Sequence, residues 1–303
     1  MGLPPYGLAV GCAALVCLAL LAVGARYYLG AAAFFRPIRR PITDADRRAV
    51  HEKLRDAREV SFRSSDGTDL RGFYVPPENG AVLVLGHGLG ENRMRFLPFA
   101  EMLARRGYGC LFFDWRAHGD SGGLVSTWGD RERHDFVAAI DFASRQPELV
   151  AGRVAGLGFS IGASAVALAA AEDTRIRAVV LESVFPSFAE ELKDKMGARG
   201  ILSLWPARAA ARLSGVEGDR IRPVESVARI RPRPVLFVAG GMDRDTPLPV
   251  MSRVYAAAHE PKQLWIAEGA DHGEPFAVAP EEYERVIIDF LDRSLGAFTD
   301  VRA

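Results

Sequence analysis

Short runs of consecutive apolar residues alternate with longer amphipathic stretches along most of this chain. After residue 80 the apolar runs are typical of strands buried on both faces, at 81–86, 109–114, 154–158, 176–182, 234–239 and 263–267. Apolar positions at helical spacing lie between or after them, at 94–106, 130–145, 161–172, 247–258 and 280–295. This alternation predicts an α/β fold with a mostly parallel sheet and helices on both of its faces.

Two features modify that pattern. Strand-like segments at 59–63 and 68–75 are separated by a turn that contains Asp66 and Gly67, and they predict an antiparallel hairpin at the start of the sheet. The segment 183–226 interrupts the alternation, and we expect it to form a small helical cap over the carboxyl ends of the strands. One domain is therefore predicted over 59–300.

The N-terminal segment is apolar throughout. No charged side chain occurs in 1–25, and the 20 residues of 6–25 are enough for one membrane-spanning helix. Arg26, Tyr27 and Tyr28 follow, as expected at a membrane interface. A cleaved signal peptide is the alternative, but the segment has no basic start and no clear cleavage site. We predict a transmembrane anchor over 1–35.

The anchor is followed by Arg36, Arg39 and Arg40. By the positive-inside rule, this basic flank predicts a single-pass membrane protein whose domain lies on the cytoplasmic side. The segment 36–58 is predicted to be a linker and a short helix. Thr43 is the expected N-cap of that helix, which would run towards Ala57.

Charge and cysteine content exclude several classes of function. The 303 residues contain 38 basic and 38 acidic side chains, so neither a nucleic-acid-binding surface nor a disordered acidic tail is indicated. Three cysteines, two of them in the apolar N-terminus, do not make a disulfide framework. No Cys/His cluster has zinc-ligand spacing, so no structural metal is predicted.

One motif carries specific chemistry. The segment 158–162, Gly-Phe-Ser-Ile-Gly, places Ser160 between a predicted strand and a predicted helix. A serine on such a sharp turn needs neighbours without bulky side chains, and Gly158 and Gly162 provide that room. Because a short Gly-x-Ser-x-Gly pattern can occur by chance, its interpretation as a nucleophile depends on partners elsewhere in the chain.

A serine nucleophile needs a histidine to take its proton and a carboxylate to orient that histidine. Asp243 and His272 each follow a predicted strand and are the preferred partners. The other candidates are weaker. They are Asp245, Glu182 and Asp271 for the acid, and His87 and His118, which we expect to order loops, for the base.

Two backbone N–H groups are needed to stabilise the negative charge on the oxygen of an attacked carbonyl. Ile161 directly follows the nucleophile and would supply the first of them. The loop His87-Gly88-Leu89-Gly90 follows the 81–86 strand, and Leu89 would supply the second.

Over about residues 59–295 the chain resembles the α/β-hydrolase family. The resemblance rests on five motifs in order: His87-Gly88, Asp114-x-Arg116-x-His118-Gly119-x-Ser121-Gly122, Gly158-x-Ser160-x-Gly162, Gly240-x-x-Asp243 and Gly269-x-x-His272. Within that family it is similar to small-lidded serine hydrolases of the serine-aminopeptidase-like or esterase-like kind, which often have an N-terminal membrane anchor. The resemblance implies an eight-stranded fold, hydrolysis through an acyl-enzyme and no cofactor.

The expected function is that of a serine hydrolase acting on an acyl ester or thioester, with a lipid-like or membrane-proximal substrate. A peptidase or an acyltransferase would use the same triad, so both stay open. A non-catalytic membrane scaffold is the alternative of another class, and it would be favoured by a missing triad residue. Dehalogenase and epoxide-hydrolase chemistry is disfavoured, because those members of the fold have Asp at the position of Ser160.

Overall fold

The computed structural model describes residues 5–197 and 200–296. An eight-stranded sheet forms its centre, and each strand begins and ends within one residue of its predicted bounds. The strands are β1 Arg58–Arg63, β2 Asp69–Val75, β3 Val82–Gly86, β4 Gly109–Phe113, β5 Val154–Phe159, β6 Ile176–Glu182, β7 Val235–Gly240 and β8 Lys262–Ala267. The last four residues of the predicted domain, 297–300, and the first four of the predicted anchor lie outside the described residues.

The spatial order of the strands is β1-β2-β4-β3-β5-β6-β7-β8. The predicted hairpin is confirmed, because β1 pairs antiparallel with β2, which pairs antiparallel with β4. The remaining neighbours are parallel. β3 and β5 lie side by side, with Gly86 opposite Gly158, so the loops after these two strands begin next to each other.

Alternating side chains of the central strands enter two separate cores. Leu83 and Leu85 of β3 pack on one face, whereas Val82 and Val84 pack on the other. This explains why the strands are almost continuously apolar. The helices that cover the sheet are α2 Asp44–Lys53, α3 Leu97–Arg105 and α11 Pro280–Leu295 on the first face, and α4 Glu132–Ser144, α5 Ile161–Glu172, α8 Pro223–Ser226 and α9 Leu248–Ala257 on the second.

The insertion between β6 and β7 contains α6 Phe188–Met196 and α7 Ile201–Leu213, followed by a 3-10 turn and the short α8. Phe185, Phe188 and Leu192 are buried with Ala207, Ala210 and Ala211 of α7 in a third apolar core. This cap core lies above the carboxyl ends of the strands and contacts Ile161, the residue after Ser160. One further short helix, α10 Pro275–Val278, follows β8.

The N-terminal helix, α1, runs from Pro5 to Phe34. It lies within the predicted anchor, 1–35, and continues beyond the 20 residues, 6–25, that we expected to span the membrane. Its last turns join the third core, where Ala31 and Phe35 are fully buried. Small and aromatic residues after Arg26 continue the helix because they have a protein surface to pack against. The part of the helix that is apolar enough to cross a membrane, Ala9–Phe34, includes this packed end.

The segment after α1 makes specific contacts with the domain. The Arg39 guanidinium donates to the Ser121 and Gly123 carbonyls, and the Ser126 N–H donates to the Phe35 carbonyl. Thr43 caps α2 as predicted, in a reciprocal capping box with Asp46. The helix ends at Lys53 rather than near Ala57, because Leu54 leaves the helical conformation and turns its side chain into the core.

Candidate active site

Ser160 occupies a strained turn between β5 and α5. Its φ of 55° and ψ of −117° lie in a region that L-residues rarely adopt. The Ser160 N–H donates to the Glu182 carbonyl at the end of β6 (2.9 Å), and the Ser164 N–H donates back to the Ser160 carbonyl (3.1 Å). These bonds hold the strained backbone, so that the hydroxyl faces the cap side of the sheet.

The two glycines of the motif lie in tight backbone contacts. A Cβ atom on Gly158 would overlap the Gly162 carbonyl. A Cβ atom on Gly162 would overlap the carbonyl oxygens of Gly86 and His87, at the start of the loop after β3. The turn therefore packs directly against the loop that we expect to supply the second oxyanion N–H group.

The three predicted catalytic side chains form one hydrogen-bonded chain. His272 Nε2 lies 3.2 Å from Ser160 Oγ, and His272 Nδ1 lies 2.9 Å from Asp243 Oδ2 and 3.1 Å from Oδ1. Asp243 follows β7 and His272 follows β8, so the parallel sheet brings both to the edge where Ser160 stands. The geometry allows His272 to accept the serine proton while Asp243 fixes its tautomer.

Asp243 is held as a carboxylate by several donors. Burial is the largest influence and raises its pKa, but the bonds from His272, from the Thr246 N–H (2.7 Å) and from the Ser183 hydroxyl (2.8 Å) together lower the pKa below its ordinary value. The Asp245 N–H donates to the same carboxylate at 2.9 Å. Asp243 therefore stays ionised and can stabilise an imidazolium on His272.

The rival acids have other partners. The Asp245 carboxylate pairs with Lys195 Nζ at 2.5 Å. Glu182 is buried and accepts a hydrogen bond from the Tyr283 hydroxyl at 3.0 Å, and its burial raises its pKa. Asp271 accepts the His272 N–H at 2.8 Å and so orders the loop that carries the histidine. Of these acids, Asp243 is the one in contact with the His272 ring.

Two buried histidines order the loop after β3, as we expected. The Gly90 N–H donates to His118 Nε2 at 3.1 Å, while His118 Nδ1 bonds the Arg116 carbonyl at 2.9 Å. His87 Nδ1 bonds the Gly88 carbonyl at 2.8 Å, and burial, reinforced by the proximity of His118, keeps the pKa of His87 well below the ordinary histidine value. Both histidines therefore fix the loop.

The Leu89 N–H lies between two N–H groups that already have partners. Gly88 donates to Glu91 Oε2 at 2.9 Å, and Gly90 donates to His118. Within the described part of the chain, the N–H groups of Leu89 and Ile161 donate to no protein acceptor. Both side chains line the Ser160 cleft. The pair remains our prediction for the oxyanion-binding donors.

A cleft of about 380 Å³ opens at Ser160 and His272. Its lining contains both apolar and charged side chains. The apolar lining residues are Phe34, Leu89, Trp128, Phe159 and Ile161, and the charged ones are Glu91, Arg95, Glu191, Lys195 and Asp245. Phe34 belongs to α1, so the N-terminal helix forms part of the wall of the site.

Sequence reasoning did not identify Arg95, which supports the histidine loop. Its guanidinium lies 3.9 Å above the centre of the Phe159 ring and donates to the Gly273 carbonyl at 2.9 Å. The Phe159 and His272 rings are themselves 4.8 Å apart. Arg95 also pairs with Glu91, which receives the Gly88 N–H. One arginine thus joins the loop after β3 to the loop that carries His272.

The cap contributes a carboxyl group to the lining of the cleft. Glu191 of α6 is 8% exposed, and its nearest cation is Lys195 Nζ at 3.9 Å. Burial raises the pKa of Glu191 to about 7.

Within residues 5–197 and 200–296, no group of three or more His, Cys, Asp or Glu side chains could hold a metal ion.

Known proteins resemble this chain in sequence and in fold. A family model described as serine aminopeptidase, S33, matches residues 77–215. An uncharacterized protein of Mycobacterium tuberculosis is 34% identical over 242 residues, which cover 78% of this chain and 79% of that protein. The quorum-quenching protein AidA of Acinetobacter baumannii is 30% identical over 292 residues, covering 78% of this chain and 94% of AidA.

Among solved structures, an esterase of Pyrococcus furiosus is similar over 87% of this chain and 99% of its own, with a TM-score of 0.72 and 23% sequence identity. At that identity the likeness shows the fold. The sequence relatives, the family match and the shared fold agree on the family. The chain belongs to the α/β-hydrolase family and is a hydrolase of that fold.

Proposed function

We propose that this protein is a serine hydrolase that cleaves a carboxylic ester or thioester through an acyl-enzyme on Ser160. The observation that carries the proposal is the hydrogen-bonded chain from Ser160 Oγ through His272 to the ionised Asp243. A strained turn presents the hydroxyl to a cleft, and charged groups fix the histidine. This is the arrangement that acyl transfer to a serine requires.

In the proposed reaction, Ser160 Oγ attacks the acyl carbonyl while His272 Nε2 takes the hydroxyl proton. The resulting oxyanion accepts hydrogen bonds from the Leu89 and Ile161 N–H groups. His272 then protonates the leaving group, and the acyl-enzyme remains. A water molecule, deprotonated by the same imidazole, releases the acid and restores Ser160.

The mixed lining of the cleft supports an acyl substrate with a polar leaving group. Phe34, Trp128 and Ile161 belong to one apolar cluster and suit a hydrocarbon chain, whereas Glu191 and Lys195 of α6 are charged lining residues. A buried apolar wall gains about 0.8 kcal/mol for each methylene that it removes from water. We therefore favour a lipid-like acyl group over a short one such as acetyl.

Replacing Phe34 tests the acyl wall. In Phe34→Ala we expect the preferred chain length among p-nitrophenyl esters to increase, with kcat/KM rising up to about fourfold for each extra methylene that the new space accepts. Ile38→Ala is the matched control. Ile38 lies four residues after Phe34, is 84% exposed and does not line the cleft. An unchanged chain-length profile in a folded Phe34→Ala variant would remove Phe34 from the substrate wall.

A peptidase is the second candidate, and it is favoured by the description of the matching family model. The full chain should be assayed in detergent with long-chain esters and with aminoacyl p-nitroanilides, using Ser160→Ala as the blank. We expect turnover of the esters and little turnover of the anilides. Faster cleavage of the anilides would favour the peptidase, and ester products formed only with an added alcohol would favour an acyltransferase.

We further propose that α1 anchors the enzyme in a membrane, with the catalytic domain on the cytoplasmic side. Residues Ala9–Phe34 are long and apolar enough to cross a bilayer, and the side chains of residues 9–22 are exposed and apolar. Arg36, Arg39 and Arg40 follow it and favour that orientation. Resistance of the full chain to alkaline carbonate extraction from cell membranes checks the anchor.

A further inference from the structure

The cap has large apolar side chains on its outer surface. Ile201, Leu202 and Trp205 of α7 are 78%, 48% and 70% exposed. Their spacing places them on one side of the first turns of the helix. Exposed aromatic and branched side chains grouped in this way mark a binding surface more often than an ordinary solvated one. What this surface binds can be inferred from α1, the helix that packs beside α7.

The burial pattern of α1 divides that helix into two parts. From Val23 onward, side chains at intervals of three and four residues are at least half-buried against the protein, ending at Phe35. The described side chains of residues 9–22 are all exposed. The part of α1 that leaves the folded body thus runs from Pro5 to Ala22, about 27 Å at 1.5 Å per residue.

That length corresponds to one crossing of a bilayer, whose hydrocarbon core is about 30 Å thick. If α1 spans the membrane, as proposed above, the hydrocarbon boundary lies near Val23, where the helix first meets the cap. Any apolar surface of the cap near Val23 is then at the level of the membrane interface.

The direction of α7 places its apolar turns at that level. α1 and α7 pack side by side. Phe35, beyond the end of α1, has its ring 6.1 Å from Phe188, and Phe188 lines a surface cavity together with Ala211 and Arg212 of the last turns of α7. The two helices therefore run in the same direction. The first turns of α7, with Trp205, lie towards Val23.

We propose that Ile201, Leu202 and Trp205 insert into the membrane interface beside α1 and hold the cap against the bilayer. The inference rests on the proposed anchor. Tryptophan favours the interfacial layer, where its ring is apolar and its N–H group can remain hydrated. The exposed residues of α7 after Trp205 are Arg208, Arg212 and Leu213, so basic side chains first appear on this face beyond the apolar turns, where the phosphate layer would lie.

Fluorescence quenching of the full chain in phosphatidylcholine/phosphatidylglycerol vesicles tests the proposal. Subtracting the signal of Trp205→Phe isolates Trp205 from the other tryptophans. We expect brominated lipids to quench Trp205, and we expect its iodide quenching constant to be about threefold or more below that of an aqueous indole.

Leu124 provides the matched reporter. It is also a large, exposed apolar side chain, but its neighbour Gly123 contacts Arg39, beyond the opposite end of the packed part of α1. Leu124→Trp in the Trp205→Phe background should therefore be quenched by iodide and not by brominated lipids.

Equal iodide access for the two positions, in protein that resists carbonate extraction, would overturn the docking of the cap and leave the anchor intact. Release by carbonate would overturn both. Ester hydrolysis, measured on the same samples, reports separately on the proposed chemistry.

Discussion

Asp243→Asn is expected to lower kcat for ester hydrolysis by about 10³- to 10⁴-fold with little change in KM. The carboxylate now accepts bonds from His272, Ser183 and Thr246. An amide of the same shape can present its NH₂ group to Nδ1 and so stabilise the tautomer with its proton on Nε2, which cannot take the proton of Ser160. It also removes the negative charge that stabilises the imidazolium.

Asp245→Asn is the control for this substitution. Asp245 lies two residues further on, is half-exposed and pairs with Lys195 rather than with the histidine. An exposed ion pair contributes about 0–1 kcal/mol, so we expect a change in kcat of less than about fivefold. The comparison is made by measuring kcat and KM for ester hydrolysis by both variants, with circular dichroism to confirm that they fold. Similar losses in the two variants would remove Asp243 from the triad.

Gly162→Ala is expected to destabilise the domain and to reduce activity further than the loss of stability explains. The added methyl group would overlap the backbone oxygens of Gly86 and His87, which are not free to rotate away as a side chain would be. Overpacking of this kind costs about 3 kcal/mol, and for a domain of this size the melting temperature should fall by about 6–12 °C. The displaced loop would also carry Leu89 away from its predicted position.

Gly30→Ala provides the comparison for the glycine prediction. Gly30 lies in α1, no atom lies within 4 Å of the place that an added methyl group would take, and alanine favours a helix. Its melting temperature and kcat should match those of the wild type. If Gly162→Ala had the same melting temperature as Gly30→Ala and kept full activity, the turn at Ser160 would tolerate a side chain at this position.

The strands, and the meeting of Ser160, Asp243 and His272 at one edge of the sheet, could be predicted because their signals are local. A strand buried on both faces must be almost continuously apolar, which is why β3 and β5 were predicted to within one residue. In a parallel sheet, residues that directly follow strands meet at one edge. Ser160, Asp243 and His272 could therefore be assigned from their positions after strands, without a measured distance.

The walls of the cleft could not be predicted in the same way. Phe34 and Glu191 come from α1 and α6, and their contacts with the site depend on how the cap packs over the sheet. Residues 27–35 follow a membrane-like segment, so their composition indicated the interfacial end of an anchor rather than a helix end packed on the domain. Arg95 was missed because a single arginine in a helical segment has no sequence signal for stacking on Phe159.

Covalent labelling tests whether Ser160 is the nucleophile. The full chain in detergent should be treated with a fluorophosphonate and measured by intact-protein mass spectrometry, followed by peptide mapping. We predict one adduct per chain, located on Ser160 and absent from folded Ser160→Ala. Failure of the wild type to react, or equal labelling of wild type and Ser160→Ala, would show that Ser160 is not the nucleophile.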